Sequence, residues 1–355
     1  MRTVDIVAEL KAGLFLRANI DPVPVFGATN AQRAEDAFGA AGCSILEASK
    51  RILDICGDRR GQDHLGMIES AFSGATGDAI FSGLVNSVLL EPFRATDSTT
   101  GWVHQQEVTN FKSNRRLRSK RVEELALLPR GQTAEHLQPD FADAESYFAH
   151  RFARQFNVDA RDLLDEDVDA LVVPARLFGN AALSLKKDLI YSRLLANDDL
   201  SDAAALFNAA SHNNLNTGAA LSEANLDAGI AAMENLQEND LPVDAIAKFL
   251  VVPPELAGLA RRLNRNMNNP LTVRTDTRLV NGLVDPVTGT TYAGSATSWY
   301  LSTTNGPIEF GFRESSRPTL RSRPLTQGKW GISYDVIFDV GAAAVGHLGL
   351  QKNEA

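Results

Sequence analysis

Two cysteines among 355 residues, Cys43 and Cys56, are too few for a disulfide framework. Both sit in stretches that read as helix, where buried structural thiols are expected. Catalytic signatures are missing too: there is no G-x-S-x-G, C-x-x-C, H-E-x-x-H or P-loop. The GDRRG at Gly57–Gly61 is no phosphate cradle, and it reads as a polar joint. The six histidines, at 64, 104, 136, 150, 212 and 347, include no pair at helical metal-ligand spacing. No apolar run approaches the roughly 18 residues of a membrane span. The charged start MRTVDIVAELKAG lacks the apolar core of a signal peptide, so a soluble cytoplasmic product is the default expectation. With a net charge of −9, the chain is a poor general nucleic-acid binder, and any DNA contact should be local. What remains is an ordinary globular composition, 44% apolar and 22% charged, long enough for two domains or one elaborate one.

The strongest periodic stretch is VPARLFGNAALSLKKDLIYSRLLAN, Val173–Asn197. Leu177, Ala181, Leu185 and Leu189 recur at helical spacing beside Phe178, Ala182 and Leu194. Pro174 suits a first helical turn, where a missing N–H costs nothing. The stretch predicts a long spine helix over 173–196, with Phe178, Ala182, Leu185 and Leu189 packed on a sheet. Lys186-Lys187-Asp188 would mark its exposed side.

Around this helix the pattern is mixed. Residues 3–18 predict a short amphipathic helix, and Asn30–Cys56 a second one. An arm carrying little core of its own is expected for 1–60. A short helix is predicted at Met67–Phe72, then the apolar segment IFSGLVNSVLLEPF. From Trp102 the period changes to a loose alternation, with a hairpin turn near Pro129-Arg130-Gly131. ESYFAHRFARQFNV (145–158) reads as one long strand. Ser222 reads as the N-cap of a helix through Glu238. KFLVVPPEL (248–256) predicts a strand and then a helix opening at Pro253-Pro254. RLVNGLVD (278–285), WYLSTT (298–303), PIEFGFRE (307–314) and the start of 331–350 are strand-like. The fold class expected is α+β.

Two charge clusters stand out. Lys112, Arg115, Arg116, Arg118, Lys120 and Arg121 are six basic residues in ten, with no acid among them. Asp159, Asp162, Asp165, Glu166, Asp167 and Asp169 form a dense acidic group just before the spine helix. The acidic group lacks the glycine of an EF-hand loop, so no metal site is expected there. The basic run suits a solvated face, a phosphate backbone, or contact between copies of the chain in which the acidic group is the counterpart. Leu125, Leu127 and Leu128 beside the basic run are candidates for burial against a neighbour. His212, in Ser211-His212-Asn213-Asn214 with Asp198, Asp199 and Asp202 nearby, is the one arrangement that admits a hydrolase-like reading. Its plainer reading is a loop whose His and Asn side chains satisfy backbone groups.

Several blocks taken in order resemble the major head (major capsid) protein family of tailed phages, in its phage Mu-like branch. They are AFSGATGDAIFSGLVNSVLLEPFRA, VTNFKSNRRLR, ESYFAHRFARQFNVDARDLLDEDVDAL, PARLFGNAALSLKKDLIYSRLLAND, ALFNAASHNNLNTGAALS, FLVVPPEL, WYLSTTNGPIEFGF and YDVIFDVGAAAV. The resemblance covers roughly 65–350. It implies the Hong Kong 97-type capsid fold: an N-terminal arm (1–64), a first peripheral part (65–96), and an extended loop (97–145) carrying the basic run. The peripheral domain with the spine helix (146–197), an axial domain (198–328) and a closing strand with the C-terminus (329–355) would follow. It further implies a non-enzymatic shell subunit without cofactor. Hexamers and pentamers of this chain would enclose double-stranded DNA in an icosahedral head, located in the virion and assembled in the bacterial host cytoplasm. Portal, scaffold or decoration proteins would be its other partners. In some relatives a Lys crosslinks to an Asn, and Lys112 and Lys120 fall in the corresponding loop. The absence of a protease-like region and the initial Met favour a separate gene. The same fold would also serve an encapsulin-like compartment or a gene-transfer particle.

Overall fold

The structure, a computed structural model, describes residues 3–57, 63–95, 97–118, 127–128, 130, 133–134, 143–165, 167–238, 241–325 and 331–355. The chain forms two compact units. The first comprises Met1–Thr96, Arg151–Leu183 and Arg317–Phe338; the second comprises Asp97–His150, Ser184–Ser316 and Asp339–Ala355.

In the first unit the helices Thr3–Arg17, Ala28–Phe38, Ile45–Cys56, His64–Ser73 and Ala75–Ala95 surround one core. Leu10, Leu14, Phe15, Ile45 and Ile52 are at most 1% exposed and share this core with Phe81, Leu84, Leu171 and Tyr334. The expectation that 1–60 carries little core is therefore corrected. Each fully buried large apolar side chain there contributes on the order of 1.5–3 kcal/mol. The single helix expected over Asn30–Cys56 is two helices, broken after Phe38 at Gly39. At Gly42 the backbone adopts φ 71°, and a Cβ there would lie 2.3 Å from the Arg17 backbone nitrogen. Only glycine fits, and the chain then restarts a helix on Ser44, whose hydroxyl accepts the Glu47 N–H at 3.2 Å. Cys43 lies in that break and not in a helix; burial pushes its thiol up to about 12. Cys56 is helical but exposed.

The long helix runs Asp169–Ala196, starting one turn before Pro174. The N–H groups of Leu171 and Val172 both bond to the Val168 carbonyl at 3.0 Å, so the turn is already wound when the proline arrives. In the first unit its buried residues are Leu171, Val172, Ala175, Gly179, Ala182 and Leu183. Leu177, expected in the buried stripe, is 64% exposed. Phe178 is half-buried and stacks on Phe156 at 5.1 Å. A Cβ on Gly179 would sit 2.3 Å from the Leu89 carbonyl oxygen, so here two helix backbones touch. Gly179→Ala should therefore cost about 1–3 kcal/mol by overpacking, despite the ~1 kcal/mol helix-propensity gain of alanine. Thermal unfolding reads this, and an unchanged or raised Tm would refute the close approach. The strand Thr319–Pro324 pairs antiparallel with the first part of the long strand Gly331–Ala344, from Thr319↔Ile337 to Pro324↔Ile332. The strand His150–Asp159 pairs with that same long strand.

In the second unit, Gly306–Phe312 pairs antiparallel with the latter part of the long strand, from Ile308↔Ala344 to Phe312↔Val340. Val103–Glu107 adds in parallel beside it. A separate sheet has the order Leu215–Asn216, Leu350–Asn353, Trp299–Ser302, Phe249–Val252, Thr272–Thr275. Trp299 and Leu301, from its centre, pack with Leu226, Leu250 and Ala260. Ser222 caps its helix as expected, accepting the Asn225 N–H at 3.2 Å, and that helix ends at Glu234. RLVNGLVD, expected as a strand, is the short helix Arg278–Asn281 followed by a two-residue strand Leu283–Val284.

The long helix brings Lys186-Lys187-Asp188 into this unit, and the expectation that they mark its exposed side is corrected. Lys186 is 2% exposed, with Nζ 2.7 Å from an Asp97 carboxylate oxygen. Lys187 lies 3.5 Å from Asp276. Asp188 accepts from the Arg278 guanidinium. Hydropathy cannot see a lysine that is buried because an acid distant in sequence waits for it. Among the described residues, no helix is long and apolar enough to cross a membrane.

Candidate interaction surfaces

The strand expected over 145–158 is two strands, Asp143–Tyr147 and His150–Asp159. The first pairs antiparallel with Asn114–Arg118, Arg115 opposite Ser146 and Arg116 opposite Glu145. This hairpin in the second unit carries Arg115, Arg116 and Arg118 of the basic run. Lys112 and Arg115 are exposed. Arg116 is not a free surface charge. Its Nε donates to Glu309 at 2.7 Å and its guanidinium reaches the Tyr147 hydroxyl at 3.4 Å. Tyr147 donates to the same Glu309 carboxylate. Burial, then the hydrogen bond and charge of Glu309, hold the Tyr147 hydroxyl well above the usual tyrosine range. Burial alone would lower Arg116, but the Glu309 hydrogen bond and charge raise it above its ordinary value. Val108, Tyr147 and Ala149 form a small core at the hairpin's root. Leu127 and Leu128 are 92% and 53% exposed. Arg118 closes the pairing opposite Asp143. Lys120, Arg121, Leu125, Pro129 and Gly131 lie outside the described residues.

The acidic cluster, in the first unit, divides by role. Asp159 accepts the Arg161 N–H at 2.9 Å, turning the chain into the helix Ala160–Asp165. Asp167 is an internal clamp: one oxygen is 2.7 Å from Arg17 Nε and the other accepts the Ile45 N–H at 2.7 Å. Asp162, Asp165 and Asp169 are exposed. Asp162 and Asp169 stand in the first turns of their helices, where the macrodipole favours negative charge. Glu166 lies outside the described residues.

His212 is buried, with Nδ1 3.2 Å from the Leu206 carbonyl oxygen and Nε2 2.8 Å from Asp202. Asn214 also donates to that carbonyl, at 2.8 Å. Both ring nitrogens are thus engaged and neither turns to Ser211. This is the loop reading of the residues and no nucleophile–base pair. Burial raises the Asp202 carboxyl, but the His212 hydrogen bond, the Ala204 N–H and the neighbouring imidazole charges outweigh it and hold it below the usual range.

The residues missed from sequence are Glu309, Tyr147 as a polar partner, and Arg17. Glu309 did leave a signal: a lone acid within the apolar strand PIEFGF requires a buried counterpart.

Residues 143–353 match the sequence profile of the family described as phage capsid protein, and the chain belongs to that family. It is therefore a structural protein of the phage virion with an α+β capsid fold, a subunit that assembles with its own copies into the head shell. No curated protein matches the chain. Among solved structures, the capsid of cyanophage P-SCSP1u is 9% identical, covering 72% of this chain and 86% of that one, at a TM-score of 0.48. The virus-like particle from Pyrococcus furiosus is 12% identical over 76% of this chain and 98% of that one, at 0.46. An encapsulin complex from Synechococcus elongatus is 11% identical over 71% and 84%, at 0.39.

Proposed function

We propose that the chain is the major head subunit of a tailed phage, in the phage Mu-like branch and of the Hong Kong 97 type, and that it acts without enzymatic activity. The observation that carries the head-subunit reading is the family match over 143–353; the Mu-like branch rests on the order of the sequence blocks. In this reading 1–64 is the arm, 97–145 the extended loop, 65–96 with 146–197 and 329–355 the peripheral domain, and 198–328 the axial domain. Hexamers and pentamers enclose double-stranded DNA through non-specific contact, assembled in the host cytoplasm with a portal and scaffold or decoration proteins. The contacts between copies run through the basic run Lys112–Arg121, with Leu127 and Leu128 beside it, and through the acidic residues Asp159–Asp169. Exposed Lys112 and Arg115 and exposed Asp162, Asp165 and Asp169 support that pairing, since complementary charge fixes register and orientation.

Electron microscopy of the purified protein tests the function. Closed shells or hexamer tubes are expected, and a monodisperse monomer under every assembly condition would overturn it. DNA rather than a cargo enzyme inside native particles separates a phage head from an encapsulin-like compartment. Lys112→Glu with Arg115→Glu should cut shell yield about tenfold or more, because like charges then meet across the contact, while sedimentation still finds a soluble subunit. Normal shells from that variant would remove the electrostatic part alone.

A further inference from the structure

Among the described residues, the second unit holds one cluster of metal-ligating side chains. Asp202, His212 and His347 place a carboxylate oxygen and two ring nitrogens within 4.8 Å of one another. His212 and His347 are 4% and 9% exposed, and their rings stack at 3.8 Å with 9° between planes. The Asp202 side chain is 35% exposed, which leaves one side of the cluster open to solvent. The cluster is braced from behind. Ala204 N–H donates to the second Asp202 oxygen at 3.1 Å. Asn214 donates to the Leu206 carbonyl that faces His212 Nδ1, and its own amide oxygen accepts the Asn208 N–H at 2.9 Å. Ala203, between the aspartate and its bracing N–H, is held at φ 60°, a conformation a non-glycine residue adopts at a cost.

The chemistry of His212 points beyond packing. A neutral imidazole carries one N–H, yet both ring nitrogens here face oxygen acceptors. With Nδ1–H kept on the Leu206 carbonyl, Nε2 and the Asp202 oxygen face each other at 2.8 Å across a position that either a proton or a metal cation can hold. That is how a backbone carbonyl orients a metal-ligating histidine. We propose that Asp202, His212 and His347 bind a divalent transition-metal ion of the Zn²⁺ class, with solvent completing the coordination on the Asp202 side. Two imidazoles and one carboxylate suit Zn²⁺ and leave a fourth position for water. Mg²⁺ and Ca²⁺ prefer all-oxygen sets. Tetrahedral bonds of about 2.0–2.2 Å separate ligand atoms by about 3.4 Å. Loading therefore moves Asp202 and His212 apart from 2.8 Å and opens the two rings from parallel. The ion ties the loop carrying Asp202 and His212 to the C-terminal segment carrying His347.

The test uses the untagged full chain as soluble subunit, stripped with a chelator and titrated calorimetrically with ZnCl₂, and with MgCl₂ and CaCl₂ for comparison. Because it is read on the subunit, it stands apart from whether shells form. Expected are one Zn²⁺ per chain with a Kd of about 1 μM or tighter, a raised Tm reversed by chelator, and no stoichiometric Mg²⁺ or Ca²⁺. Asp202→Asn should weaken Zn²⁺ binding about tenfold or more, and His347→Gln should abolish it. Zn²⁺ bound only at millimolar concentration, or with equal affinity in wild type and Asp202→Asn, would overturn the site. If His347→Gln fails to fold by circular dichroism, Asp202→Asn, at a part-exposed position, decides.

Discussion

Lys186→Ala is expected to destabilise the subunit by about 3–5 kcal/mol, because it strands the Asp97 carboxylate without its cation. The Lys186 and Asp97 side chains are 3% and 8% exposed and meet at 2.7 Å. Burial pushes the Asp97 carboxyl up, but the charge and hydrogen bond of Lys186, with the hydroxyl and N–H of Thr99, outweigh it and hold Asp97 below its ordinary value. A depressed carboxyl stabilises the fold above its unfolded pKa of about 3.9. That contribution is lost as pH falls through the folded value. In Lys186→Ala the sign reverses: the orphaned carboxyl is raised, and acid relieves it by protonation. The stability gap between wild type and variant should therefore be widest near neutrality and narrow toward pH 4, as read by urea midpoints across that range. A gap independent of pH would show that the loss is packing and not charge. Replacing both partners, Lys186→Met with Asp97→Leu, should recover most of the loss, since a well-packed apolar pair can match a buried ion pair.

Glu309→Ala should cost a similar amount, about 3–5 kcal/mol, and should do so at the hairpin. One carboxylate there serves both the Arg116 guanidinium and the Tyr147 hydroxyl. Without it, two polar groups lose their shared partner at the root of Asn114–Arg118 and Asp143–Tyr147. The Tyr147 hydroxyl should then ionise at lower pH than in wild type, although burial, the larger cause of its shift, remains. Limited proteolysis should cut the hairpin faster, and the urea midpoint should fall. An unchanged midpoint with unchanged cleavage would dismiss Glu309 as the anchor. Arg116→Glu would disturb this anchor as well as the surface, so loss of assembly is cleaner to interpret at Lys112 and Arg115, which are exposed.

The α+β class, the spine helix, the Ser222 cap and the strands around Trp299 and Phe310 were legible because each is a local signal: a period, a cap, an alternation. The break between Phe38 and Ile45 was also written locally, in Gly39, Gly42 and Ser44, and was lost to the apolar period running across it. The buried face of the spine was misread for a non-local reason. Leu177 looks like core and Lys186 like surface until Asp97, far off in the chain, comes to Lys186. The charge clusters were legible as clusters. Which members are spent inside the subunit was not, because Glu309 for Arg116 and Arg17 for Asp167 are brought in by the fold. The pair of histidines 212 and 347 was invisible for the same reason.

The second half of the spine helix carries its ions at successive heights. Lys186 meets Asp97, Lys187 meets Asp276, Asp188 meets Arg278 and Arg193 meets Asp285. An apolar face tolerates sliding by a turn, about 5.4 Å, because one leucine replaces another. These four pairs do not, since the same slide separates every cation from its acid and leaves buried charge behind. They function less as glue than as an address, fixing one rotation and one height for the helix and making each wrong setting costly.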